Sequence, residues 1–206
     1  NPRTTYLLGL WRVCLMFIVA FGHEKEVGKD TAATALMRYL KLNTVGKDIR
    51  VCGFAYQVKL EFYKAFKNYG VQPPDYYDKN YKEKDLIIPA LGMTYREGLI
   101  RFANAYRSVY PDYWRDANFE KNAKADVLII PDLRFRNEFT GVHDRKGLCC
   151  KITRTGFGGE KDGADEHLAD EQSWDHLFHN NEDVKAFTKQ IIESLGPIVQ
   201  SWILQS

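Results

Sequence analysis

The chain has 206 residues, 45% of them hydrophobic and 27% charged, the length and apolar content of one globular domain able to bury a core. A formal charge of +2 and a pI of about 8.3 fall well short of the basic bias of a protein that lives on nucleic-acid backbones, so any anion recognition is local. The four cysteines, Cys14, Cys52, Cys149 and Cys150, show neither CxxC nor His-rich spacing, which argues against zinc and against a disulfide framework and predicts reduced thiols in a cytoplasmic protein.

In chain order, the first apolar run is "VCLMFIVAF", nine residues long and bounded by Arg12. That is far below the roughly 20 residues a membrane-spanning helix needs. A signal peptide is disfavoured because no small-residue cleavage site follows and the next segment is charged and periodic. The run predicts a buried strand over 12–20 and no membrane partner. Further strand-like runs lie at 50–53, 126–131, 148–153 and, more weakly, 174–178, and helical periodicity marks 29–41, 55–69, 94–108, 134–146 and 182–203. Short continuous apolar strands alternating with helices predict an α/β fold with a parallel sheet of about five strands covered by helices on both faces. Two stretches interrupt the rhythm: 70–90, rich in Pro, Tyr and charge, and 155–173, which combines glycines with acids. Loops this long in a compact domain are usually functional.

Between the first strand and the first helix stands "GHEKEVGKDT", residues 22–31. A strand, a glycine-bounded turn and a helix opening at Gly-Lys is the setting of a phosphate-binding loop, where helix N-terminal amides and a lysine converge on phosphate oxygens. The stretch is a variant: five residues separate Gly22 from Gly28, and Asp30 precedes Thr31 where a hydroxyl usually follows the lysine. A surface turn ahead of a helix capped by Asp30 or Thr31 would fit the same residues.

Four stretches decide between these readings. "GKDTAA" at 28–33, "GFAYQVK" at 53–59, "MTYREGLIRFANAYRSVYPDYW" at 93–114 and "VLIIPDLRFRNE" at 128–138 together resemble, in order and spacing, the deoxynucleoside monophosphate kinases of tailed bacteriophages. The resemblance runs from about residue 13 to 195 and implies a three-layer P-loop NTPase-like fold in one domain, 1–206, with ATP as phosphoryl donor, Mg2+ as cofactor and a dNMP as substrate. It further implies a phage enzyme working in the host cytoplasm, a possible homodimer, and no stable nucleic-acid partner.

The implied site follows the motifs. Gly22, Gly28, Lys29, Asp30, Thr31 and Arg154 would bind the nucleotide cofactor, with Asp30, Thr31 and Asp132 as candidates for the metal. Lys29, Asp30, Asp132 and Arg134 would carry the chemistry, since phosphoryl transfer between two polyanions needs cations on both sides. Asp132 follows "VLII" and is expected at the carboxyl end of a buried strand, where open α/β sheets place ligands. Lys59, Arg96, Arg101, Tyr113, Trp114 and Arg136 are the candidates for the acceptor; the aromatics, with Tyr95, could stack on a base, although aromatics at such spacing are more often core. Thr94 and Glu97 read as the N-cap and capping box of the helix that carries Arg96. His179, Asn180 and Asn181 would adjoin the adenine or form a plain turn. The stretch 155–173 reads as a lid. Two other classes share some of these features: another P-loop enzyme, such as a dephospho-coenzyme A kinase or a nucleotide hydrolase, and a nucleic-acid-binding module built on "PPDYYDKNYKEK". In that stretch the acids cancel the local charge.

Overall fold

In the computed structural model, residues 16–79, 86–157 and 168–205 are described. The start of the first predicted strand, Cys14, residues 80–85 of the tyrosine-rich stretch and residues 158–167 of the predicted lid lie outside them.

Five apolar segments form one wholly parallel sheet: β1 (Phe17–Gly22), β2 (Ile49–Val51), β5 (Val127–Leu133), β6 (Leu148–Thr153) and β7 (His176–His179), in the order β2-β5-β1-β6-β7. β1 is buried along its whole length, which is why it reads as an unbroken apolar run instead of an alternation. Its side chains still divide between the two faces. Val19 and Phe21 pack under α1 (Lys29–Asn43) and α7 (Val184–Gln205), against Leu36, Leu40, Ile191 and Leu195. Ile18 and Ala20 face Phe54 of α2 (Phe54–Phe66), Phe119 of α5 (Tyr113–Asn122) and Phe139 of α6 (Arg136–Asp144).

Stretch 70–90, read as a loop, holds the short α3 (Pro74–Lys79) and one strand of a small antiparallel hairpin, β3 (Ile87–Ile88) with β4 (Met93–Thr94). α4 (Tyr95–Val109) follows at once and packs on α2 and α5. The expected cap is present: Thr94 Oγ1 accepts from the Glu97 amide at 3.2 Å, and Glu97 accepts from the Thr94 amide at 2.8 Å. Leu168, at the far side of the predicted lid, is buried in the α6 face of the core, so that end of the stretch is anchored.

The topology places the site. β1 and β5 are neighbours, yet α1 leaves β1 over one face and α6 leaves β5 over the other, which opens a crevice beyond their carboxyl ends. The register from Ala20↔Ile130 to Gly22↔Leu133 advances two residues on β1 and three on β5, a bulge at Pro131-Asp132. Proline has no amide to lose from the ladder, and a bulge re-aims the side chain beside it. Here that side chain is Asp132. Among the described residues, no helix is long and apolar enough to cross a membrane.

Candidate phosphate-binding crevice

The loop after β1 is shaped by three residues at positive φ, His23 (87°), Glu26 (63°) and Gly28 (104°). Gly28 also has no room for a side chain: a Cβ there would stand 2.6 Å from Asn180 Nδ2. Asn180 is buried and donates to Val27 O at 2.8 Å, which ties the loop to the end of β7. No side chain caps the first turn of α1. Lys29 opens that helix, is 8% exposed, and turns back so that Nζ donates to His23 O at 2.8 Å and to Glu24 O.

Opposite the loop stands the end of β5. Asp132 accepts the Phe54 amide on Oδ1 and the Ala55 amide on Oδ2, both at 2.8 Å, so it holds the N-terminus of α2. Gly53 makes this approach possible, because a Cβ there would lie 2.4 Å from Asp132 Oδ2. Burial pushes the Asp132 carboxyl above its ordinary range; the two amides and Arg134 pull it down, and the nearby Asp30 carboxylate adds to the upward push.

Loop and strand end enclose a crevice of about 480 Å³, within the size range of small-ligand sites. Of the sequence-predicted residues, Gly28, Lys29, Asp30, Thr31, Asp132, Arg134, Arg154 and Asn180 line it. Lys25 and Glu26 of the loop and Pro131 beside Asp132 line it too, and sequence reasoning missed Glu182, Val184 and Phe187, which complete the wall. Val184 and Phe187 belong to the first turn of α7, where their spacing was legible as an apolar helix face but not as a lining.

Several expectations change. Gly22 does not line the crevice: the Trp174 ring fills the place of its absent side chain, with Cη2 at 2.7 Å from where a Cβ would sit. Its smallness serves packing, not phosphate approach. Trp114 is 2% exposed and donates Nε1–H to Ala103 O at 3.0 Å, so it is core and not a base-stacking surface. Tyr113 packs on Tyr106 and Trp114 with centroids 4.6 and 4.8 Å apart, and Tyr95 is buried against Phe62. Arg136 is exposed and pairs with Asp170 and, at 3.8 Å, with Glu171, which turns it to the anchored end of the predicted lid. Lys59 is half-buried on α2, and Arg96 and Arg101 are exposed on α4; none of the three lines the crevice. His179 and Asn181 brace the exit of β6: His179 Nδ1 meets Thr153 Oγ1 at 2.8 Å, and Asn181 Oδ1 accepts the Thr155 amide at 2.8 Å, on either side of Arg154. The chain matches no protein-family model and no curated protein.

A second acid lies behind Asp132. Glu138 is buried, and its Oε2 accepts the amides of Arg134 at 3.0 Å and Phe135 at 3.1 Å, so it shapes the turn that presents Arg134. Burial first, and then the Asp132 charge, push its carboxyl up to about 8. In the unfolded chain this carboxyl ionises in the ordinary range, so between that range and about pH 8 folding takes up a proton. Stability from Glu138 is therefore full at low pH and declines as pH rises through that window. Glu138→Gln keeps an oxygen for both amides but cannot ionise. Denaturant unfolding from about pH 5 to pH 8.5 should show a clearly shallower decline for this variant. Equal slopes in variant and wild type would mean that Glu138 does not carry the effect.

Proposed function

We propose that the chain is an ATP-dependent deoxynucleoside monophosphate kinase with P-loop-type three-layer architecture, transferring the γ-phosphoryl group to a dNMP. The observation that carries this reading is convergence: four cations, Lys25, Lys29, Arg134 and Arg154, and four carboxylates, Glu26, Asp30, Asp132 and Glu182, line one crevice at the strand carboxyl ends, drawn from four separate segments. A plain surface turn ahead of a helix has no need of that set.

The donor set suits a nucleotide with a hard divalent cation. The uncapped first turn of α1 offers amides to phosphate, and the exposed Asp30 stands near enough to Asp132 for each carboxylate to gain from a cation between them. Bound with ATP, Mg2+ would neutralise charge on the donor phosphates. Lys29 would release His23 O and Glu24 O to take phosphate oxygens, while Asp30 and the Thr31 hydroxyl hold the metal, directly or through water. Both Asp132 oxygens already accept amides, so Asp132 acts first as the post that fixes α2, with lone pairs left for water on the metal. Arg134 and Arg154 would meet the phosphates from the other wall. Lys59, one turn and a half along α2, and Arg96 would serve the acceptor phosphate.

A coupled ADP-release assay over dTMP, dGMP, dCMP, dAMP and hydroxymethylated dCMP tests the proposal. ADP should appear only with an accepted dNMP, and the matching dNDP should form in equal amount. ADP release at the same rate without any dNMP would make the protein a hydrolase. Thermal stabilisation by coenzyme A precursors or by single-stranded DNA, with none by a dNMP, would favour the other two classes.

A further inference from the structure

Outside the crevice, three donors from separate segments meet under the α6 face of the sheet. His143 comes from the last turn of α6, Cys149 from β6 and Asp175 from the residue before β7, and their ligating atoms all lie within 4.8 Å of one another. His143 Nε2 is 2.9 Å from Asp175 Oδ2, and that oxygen also accepts the Cys149 amide at 2.7 Å, so the carboxylate is already oriented by backbone. None of the three lines the crevice.

We propose that His143, Cys149 and Asp175 bind one divalent cation of the zinc class, with the fourth coordination position open to water. One thiolate, one imidazole and one carboxylate are the mixed donor set zinc accepts, and a three-ligand site with an open position is a stable zinc arrangement. The charges close: a dication with the Cys149 thiolate, the Asp175 carboxylate and a neutral His143 is electroneutral, which a half-buried site requires. Cys149 is fully buried, whereas His143 and Asp175 are each about one-third exposed, so the cation has a path in and the sulfur a dry side. Phe139 borders the sulfur, since the Cys149 thiol donates to Phe139 O at 3.8 Å, a bond given up when the thiol loses its proton, and the Phe139 ring lies 4.5 Å from that of His143. Burial, with Asp175 and Glu171 adding, pushes the Cys149 thiol up. The same negative surroundings that oppose a bare thiolate favour a cation bound to it. On binding, the Zn–S bond forms as the S–H bond breaks and its proton leaves to solvent; His143 gives up its contact with Asp175 and supplies the Nε2 lone pair. The spacing, six residues and then 26, belongs to no sequence motif, and only the fold brings the donors together.

The test is equilibrium dialysis of the chelator-treated chain against zinc chloride, together with absorption spectra of the chain titrated with Co2+. One zinc per chain should be retained in the presence of excess Mg2+, and His143→Ala, a partly exposed position that leaves the core intact, should weaken retention by at least about tenfold. Bound Co2+ should show a thiolate charge-transfer band that Cys149→Ala removes and Cys52→Ser does not. No retained zinc, equal affinity in His143→Ala, or a Co2+ spectrum without a sulfur band would each overturn the site. A Cys149→Ala chain that fails to fold leaves the decision to His143→Ala and to the wild-type Co2+ spectrum.

Discussion

Lys29→Ala is expected to lower turnover by on the order of a hundredfold or more in a chain that remains folded. The side chain opens α1, is almost wholly buried in the crevice wall, and donates from Nζ to two carbonyl oxygens of its own loop. A bond from an ammonium to a charged phosphate oxygen is stronger than one to a neutral carbonyl, so an arriving phosphate would displace those carbonyls favourably. In the proposed phosphoryl transfer, charge would move across the transferring group, and a fixed cation there would stabilise the transition state more than the bound substrates. The loss should therefore fall on kcat more than on the KM of either substrate. Lys29→Met separates the charge from the packing of the stem, and should be as inactive as the alanine variant while restoring any stability lost. Circular dichroism and thermal unfolding establish that each variant is folded. Near-wild-type turnover in folded Lys29→Ala would remove the loop from the chemistry.

The elements that place this lysine were legible in the sequence, and those that face it less so. β1 and the first four residues of β5 are continuous apolar runs because both faces of a covered parallel sheet are dry there. The Thr94 cap was legible for a local reason, since both partners lie within one turn. α5 was not, because its buried face includes Asn118 and Asn122, which satisfy each other and the Cys52 carbonyl by hydrogen bonds and so erase the apolar periodicity. The hairpin strands β3 and β4 have two residues each, too few to show alternation. Asp132 was placed at its strand end by the apolar run before it. Its grip on the amides of Phe54 and Ala55 spans 78 and 77 residues of sequence and has no local signature. Gly53 is the trace it leaves: a glycine directly before a helix, where the backbone must approach a carboxylate. Tyr113 and Trp114 show the limit of reading aromatics, whose spacing is the same whether they stack on a base or on each other.

Trp114 offers the second large effect, and its sign separates those two roles. The side chain fills the junction of α2, α4 and α5 against Val58 and Ala103, with Phe102 at 5.9 Å and Tyr106 at 5.0 Å between ring centroids. Trp114→Ala is expected to cost about 3–5 kcal/mol, because it removes a whole ring from a closed site and leaves a cavity that helices cannot fill by small shifts. For a chain of this length the melting temperature should fall by on the order of ten degrees. Trp114→Phe retains most of the ring contact but loses the bond from Nε1 to Ala103 O, a carbonyl that keeps its place in the α4 ladder, so about 0.5–1.5 kcal/mol is expected from it. A stacking residue would behave in the opposite way. Its truncation would raise the KM for the dNMP by an order of magnitude or so, since base–aromatic stacking is worth about 1–3 kcal/mol, with little change in melting temperature. Val58 is the neighbour of Lys59 on α2, so a loosened junction would also blur the placement of that lysine, and some rise in dNMP KM should accompany the stability loss without exceeding it. A Trp114→Ala chain that melts like wild type and has lost only its affinity for the acceptor would return Trp114 to the binding surface.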